Sequence, residues 1–483
     1  KKKLRRDQTA SGYVDPKAEK ELEEKKAEKR SNVLYSVIAV LFVLVVAASF
    51  LWRSNVISRN ATALTIDGEK YSAAEVNFYY QNVYRGFLQS NSYFISYLGL
   101  DTNASLKSQT VNATAASMMG VEEGSSWHDY IMDNTVKQMT MVQRGLKQAQ
   151  EEGYQFPASV QEQYEDSLNS LKTSAESTGM SVKAYLQRNL GAIMTEKVYN
   201  QQVLRMLQYQ AYAQSYSDSL TYSAADLQAA YDEDPDAYCS VDIEYVSFTT
   251  GLSSDATDAE KSAAMEEAKA KAEAVLAAYA EGRSFEESAG DGTYTHLAHA
   301  DRSVTSDMLT WAFAADRAEG DTTVAEQSSG YVAVLFHSRS RDDYHPVTVR
   351  HILVADEQTA ADIYSQFNNT GDKTENEFAT LAATKSTDSG TASNGGLVSN
   401  MRKGAYVQPF EDWSFDPSRQ SGDTGIVESE YGFHVMYFVE TNELPYWEYK
   451  ATNTLKSSAV NDWYDAITDG VTAEQLDAIE YVG

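Results

Sequence analysis

"WSFDPSRQSGDTGIVESEYGFHVMYF", residues 413 to 438, has a counterpart in the same chain: "WAFAADRAEGDTTVAEQSSGYVAVLF", residues 311 to 336. The two lie a constant 102 residues apart without a gap, and nine of twenty-six positions are identical. The identities are Trp311/Trp413, Phe313/Phe415, Arg317/Arg419, Gly320/Gly422, Asp321/Asp423, Thr322/Thr424, Glu326/Glu428, Gly330/Gly432 and Phe336/Phe438. Self-similarity at a fixed offset marks a duplicated structural unit.

Each copy ends on an apolar, branched and aromatic run, "GYVAVLFHSR" in the first and "YGFHVMYFVE" in the second, that reads as a buried strand. Upstream of these, "VDIEYVSF" and "VTVRHILVA" read as strands, and residues 256–280 as an alanine-rich helix. "EQTAADIYSQF" and "NEFATLAATKS" read as two helices of the second copy. The fold class is therefore α+β, with two successive units on one plan.

The duplication is an internal control on chemistry. His434 aligns with Val332, so the strand position does not need an imidazole to fold, and His434 is read as a chemical rather than a packing residue. His351, in "RHILV", stands where the first copy has Glu244 or Tyr245.

Nearer the start, "NVLYSVIAVLFVLVVAASFLW" (Asn32 to Trp52) carries no charge and about twenty apolar residues. At about 1.5 Å per residue such a helix spans a bilayer core of about 30 Å. The run is longer than the roughly 7–15 apolar residues of a cleaved signal. It is read as a retained signal anchor with Trp52 at the far interface. Residues 1–30 hold eleven Lys/Arg against seven Asp/Glu, which places that end in the cytosol and the bulk of the chain outside it.

Residues 31–483 carry 29 basic and 63 acidic groups, a net charge near −34 that argues against nucleic acid as a ligand. A single cysteine, Cys239, means that no disulfide supports the fold, and suggests the exterior of a bacterial, Gram-positive-type cell. With no cysteine after the apolar run, a lipid-modified N-terminal cysteine is not expected. Four N-x-S/T sequons, beginning at Asn60, Asn103, Asn112 and Asn368, are read as chance.

Between the anchor and the duplicated region, "LTIDGEKYSAAEV" gives a strand, a turn at Asp67-Gly68 and an N-cap at Ser72. Residues 127–150, 160–177 and 181–216 read as helices from their three- and four-residue apolar spacing. Their tyrosines and methionines are read mainly as packing residues.

The second copy resembles the parvulin family of peptidyl-prolyl cis/trans isomerases. The resemblance rests on "VRHILV", "STDSGTASNGG", "KGAYVQPFEDWSF", "GDTGIV" and "SEYGFHVMYF", in the family's order over about 95 residues. Anchor, helical region, tandem units and tail together resemble the PrsA/SurA-type extracytoplasmic foldases, and "YSAADLQAAYDEDPDAY" is similar to the helix that precedes their rotamase unit. The resemblance implies a four-stranded sheet wrapped by helices, with His351 and His434 paired on its central strands. It implies Asp388 beside the substrate carbonyl, Ser429 orienting a histidine, and Tyr406, Phe410 and Val398 gripping the proline ring. Where the family usually has "GGDLG" and "G-x-M-V", this chain has "GGLVS" and "GAYV".

The organisation this implies is a cytosolic charged tail (1–31), a transmembrane anchor (32–52) and a helical chaperone-like domain (53–237). A degenerate parvulin-like domain (238–341), a rotamase domain (344–442) and a C-terminal helical tail packing on the N-terminal domain (443–483) follow. The expected function is a membrane-anchored foldase that isomerises X-Pro bonds in unfolded secreted polypeptides, with a homodimer as a candidate assembly. No cofactor, metal or nucleic acid is called for. The alternatives are a holdase that does not isomerise and an assembly factor for one dedicated partner. A Ser429–His434–Asp388 hydrolase triad lacks a nucleophile elbow. A metal site at His296 and His299 would lie in a loop without a helix to fix it. His345 is read as a solvated linker residue.

Overall fold

The computed structural model describes residues 16–252, 256–302, 306–369 and 373–483, so residues 1–15 of the expected tail lie outside it. Pro16–Arg53 is one continuous helix. The side chains of residues 36–49 are exposed, and those of 32–35 and 50–52, the ends of the expected anchor, fall outside the described set. Among the described residues, no helix is long and apolar enough to cross a membrane.

The chain divides into two compact units. The first runs to Ser219 and takes in Val460–Gly483. Its sheet has the order Ala473–Gln475, β1 (Thr62–Ile66), β2 (Glu69–Ser72), all antiparallel. The end of the tail, expected to be helical, thus contributes a strand paired with β1. The β2 end at Ser72 starts the helix Ala73–Ser90 through a reciprocal capping box with Glu75. Long helices Trp127–Glu151, Ala158–Ser177 and Glu196–Ser219 follow. Residues 181–216 are not one helix: Val182–Leu190 ends at Gly191, where the Asn77 amide donates to the Leu190 carbonyl. Trp127, Tyr79, Tyr80, Ile131 and Met139 fill the core, whereas Tyr93 and Tyr97 remain 90% and 70% exposed.

The second unit, Leu220–Ala459, holds both copies and also the helix Ala224–Glu233, whose Leu227 packs with Tyr238, Trp447 and Ala451. The first copy is an antiparallel sheet of β3 (Cys239–Thr249), β4 (Thr293–Ala300), β5 (Thr322–Gln327) and β6 (Gly330–Arg341), in the order β4-β3-β6-β5. The second repeats it with β7 (Val347–Val354), β8 (Leu397–Met401), β9 (Thr424–Ser429) and β10 (Gly432–Thr441), in the order β8-β7-β10-β9. One helix, Asp258–Ala280, covers the first sheet where two, Glu357–Asn369 and Glu375–Lys385, cover the second.

The repeated identities have repeated physical causes. Arg317 lies over the Trp311 ring at 4.9 Å and Arg419 over Trp413 at 4.4 Å. The Gly320 and Gly422 amides donate to the Phe336 and Phe438 carbonyls, each at 2.9 Å. A side chain at Gly330 would meet the Phe248 carbonyl at 1.9 Å, and one at Gly432 the Val354 carbonyl at 2.4 Å. Each hairpin start therefore admits only glycine. The registers also decide a point that the sequence leaves open. Val334 pairs with Tyr245 as Met436 pairs with His351, so the counterpart of His351 is Tyr245.

Candidate active site

The β7–β10 register sets the two histidines. His351 stands opposite Met436 and His434 opposite Leu353, which makes the rings diagonal neighbours on one face of the sheet. The other face, with Ile352, Val354, Val435 and Tyr437, is sealed by the two covering helices. The histidine face carries Val347, Val349, Val398, Met436 and Phe438, and Phe410 from the helix Gln408–Ser414 packs onto it.

Both rings are buried, each 5% exposed. Their Nδ1 atoms are 3.2 Å apart. The Ser429 hydroxyl lies 2.8 Å from His434 Nε2, and His351 Nε2 lies 3.0 Å from both Asp388 Oδ2 and Thr391 Oγ1. The Thr391 hydroxyl donates to Asp388 at 2.6 Å. One set of tautomers satisfies the contacts among these side chains. The carboxylate can only accept, so His351 donates from Nε2, which leaves its Nδ1 an acceptor. His434 then donates from Nδ1, and its Nε2 accepts from Ser429, whose oxygen also takes the Tyr431 amide at 3.1 Å. The chain of donors runs Ser429, His434, His351, Asp388.

Burial, and then the neighbouring His351, pushes His434 down to about 4. Burial also lowers His351, against the opposing pull of Asp388. Both imidazoles are therefore neutral near pH 7. Burial raises the Asp388 carboxyl, but hydrogen bonds from Thr391, the Gly390 amide and His351 outweigh it and hold the group below its ordinary value. The site has one fixed negative charge at the end of a neutral relay.

Beside this relay stands an aromatic wall. Phe410 is 1% exposed and meets both imidazoles edge-on, at 5.3 Å from His351 and 5.2 Å from His434. Tyr406 stacks on Phe410 at 5.2 Å and is 42% exposed, so it forms the open side of the wall. Val398 pairs with Val349 and is buried in the same apolar cluster as Phe410.

Residues 335–442 match the family model of the PPIC-type PPIase domain. This part of the chain is a parvulin-type rotamase domain. Over 97 residues the chain is 40% identical to foldase protein PrsA 1 of Listeria innocua, covering 20% of this chain and 31% of that protein. Over 139 residues it is 31% identical to foldase protein PrsA of Caldanaerobacter subterraneus, covering 27% and 43%. The chain thus spans less than half the length of these relatives. A crystal structure of PrsA from Bacillus subtilis aligns with 72% of this chain and 89% of its own at 13% identity, with a TM-score of 0.28.

Three side chains of the rotamase domain were not singled out from the sequence. Thr391 joins Asp388 to His351, as above. Glu411 accepts the amides of Gly404 at 3.0 Å and Tyr406 at 2.8 Å, which fixes the loop carrying the aromatic wall. Arg350 pairs with Glu375 and donates to the carbonyls of Asn394 and Gly395, which fixes the loop carrying Thr391. Each acts through the path of a loop, for which the sequence has no period.

In the first copy the two histidine positions hold Tyr245 and Val332, and Val332 sits in an apolar core with Ile243, Met308 and Phe336. The histidines of that copy face elsewhere. His296 pairs with Asp242 at 2.7 Å, and His299 lies 3.3 Å from the Ser240 hydroxyl. Among the described residues, no group of three His, Cys, Asp or Glu side chains is placed to hold a metal. His345, in the linker, meets the Asn442 carbonyl at 2.9 Å.

Proposed function

We propose that the protein is a peptidyl-prolyl cis/trans isomerase whose catalytic unit is the second copy, acting on unfolded secreted polypeptides. The observation that carries this reading is the relay Ser429–His434–His351–Asp388 packed edge-on against a dry Phe410 beside an open Tyr406.

Rotation about the X-Pro bond meets a barrier of ~18–20 kcal/mol because it breaks amide resonance. The twisted amide has a more ketone-like carbonyl and a basic ring nitrogen, so no covalent chemistry is required. Tyr406 and Phe410 hold the proline ring. Asp388, anchored by Thr391 and His351, sets the field at the carbonyl, and the neutral histidines with Ser429 hold that geometry without exchanging protons. Lowering the barrier by ~4 kcal/mol accelerates isomerisation roughly 10³-fold.

In this reading residues 32–52 anchor the chain in a membrane, the basic tail stays cytosolic and the two units lie outside the cell membrane near emerging clients. The first copy, without either histidine, serves binding rather than catalysis. A second reading, a holdase that does not isomerise, is favoured by Tyr93, Phe94 and Tyr97, exposed together on one segment of the first unit. Protease-coupled isomerisation of a proline peptide by the full chain separates the two. Isomerase action predicts acceleration that a His434→Ala/Asp388→Ala variant loses, and a holdase predicts none from either protein.

A further inference from the structure

Between the two copies, within the second unit, lies a groove of about 640 Å³, in the size range of ligand sites. Its one wall is β4, an edge strand of the first copy. Four successive β4 residues, His296 to His299, line it. Successive strand residues point to opposite faces, so a groove that touches four in a row runs along the edge of the sheet. The opposite wall is the segment of the rotamase domain that carries Tyr406 and the helix Gln408–Ser414.

The rotamase domain closes one end. Arg402 pairs with Asp301 at 3.3 Å and donates to the His299 carbonyl at 3.1 Å. Gly404, at φ +78°, lies so close that a side chain there would meet the same carbonyl at 2.6 Å. Lys403 turns its ammonium onto the rings of Tyr344 and Phe415, at 5.3 and 5.2 Å. Along the helix side lie Asp412, which accepts from the Gln408 amide at 2.7 Å, and Asp416, which accepts from the Ser418 hydroxyl at 2.7 Å and pairs with Arg419 at 3.4 Å. Tyr406 belongs both to this groove and to the aromatic wall beside the histidines.

We propose that this groove binds the extended, basic stretch of client polypeptide that flanks the proline, adding it along the edge of β4. An exposed strand edge is a template for a further strand, with main-chain bonds for affinity and side-chain positions for selectivity. The acidic lip selects Lys or Arg. The catalytically degenerate copy thereby acts as a docking arm for the active one. The inference rests on the isomerase reading for the proline and on the groove alone for the flank.

The test uses the full chain and three labelled peptides: a blocked proline tetrapeptide, the same core with a lysine-containing flank of six residues, and the same core with a glutamate-containing flank. Fluorescence anisotropy reads binding and exchange NMR reads isomerisation. The expected result is about tenfold tighter binding and higher kcat/KM for the lysine flank than for the tetrapeptide, with no gain for the glutamate flank. Asp412→Lys/Asp416→Lys should abolish the gain, and His296→Pro, on β4, should reduce the gain of the lysine flank. Equal binding of all three peptides, or a lysine gain untouched by the charge reversal, overturns the proposal. If none of the peptides is isomerised while the lysine flank still binds in a charge-dependent way, the groove stands and the isomerase reading falls.

Discussion

Neutral imidazole is what the relay needs, because a proton added to His351 would put two donors face to face across the 3.2 Å Nδ1 contact, and one added to His434 would land on Nε2 against the Ser429 hydroxyl that donates to it. Burial enforces that state. An unfolded histidine titrates near 6.5, whereas folded His434 resists protonation down to about 4. The folded form is therefore fully favoured above pH 6.5 and loses stability as pH falls from there towards 4, by a few kcal/mol on the order of the shift. Urea unfolding of the wild type at pH 7 and 4.5 should show this loss, and His434→Gln should flatten it. Thr391 is the residue to test at the carboxylate. A hydrogen bond to a charged acceptor contributes about 1.5–3 kcal/mol. Thr391→Val should raise the Asp388 pKa, read by NMR titration, and lower kcat/KM by roughly tenfold. The histidines were visible in the sequence because a sister strand carries valine at one of their positions. Thr391 and Glu411 were not, since their roles depend on loop paths that bring them back to His351 and to the Tyr406 amide.

Elements whose identity rests on period were legible, and those that rest on a local break were not. The alternation in "VTVRHILV" and the run in "GFHVMYF" specify strands buried on one sheet, and the 102-residue offset specifies two copies of that sheet. The helical spacing of residues 181–216 hides the interruption after Leu190, where a distant side chain, Asn77, takes the carbonyl that would have continued the helix. "AEQ" near the end of the chain has no strand pattern, and it is held on β1 at both ends, where the Leu476 amide donates to the Ala63 carbonyl and the Asp67 amide to the Thr472 carbonyl. The hairpin glycines are the sharpest test at this scale. Gly432 has φ +124° and no room for a side chain against the Val354 carbonyl. Gly432→Ala should cost at least about 1–3 kcal/mol, read as a lower urea midpoint with an unchanged slope.

The whole molecule joins one copy that carries a buried histidine pair to one with tyrosine and valine at those positions. Both keep the same strand order, the same Arg–Trp stack and the same hairpin glycine, while only the second keeps the histidine pair. The chain is acidic, with net charge −30, the charge on which the proposed preference for basic flanks draws. Nothing in periodicity could reveal the groove along β4, because it depends on how Arg402 meets His299 across 103 residues of chain, with Gly404 beside it. The central claim is that catalysis belongs to the second copy alone. Exchange NMR of a short proline peptide with the isolated fragment of residues 344–442 tests it most directly. The expected result is a rate enhancement equal to that of the full chain, lost in the His434→Ala/Asp388→Ala form. A fragment that is folded by its dispersed amide spectrum yet leaves the exchange rate unchanged would contradict it.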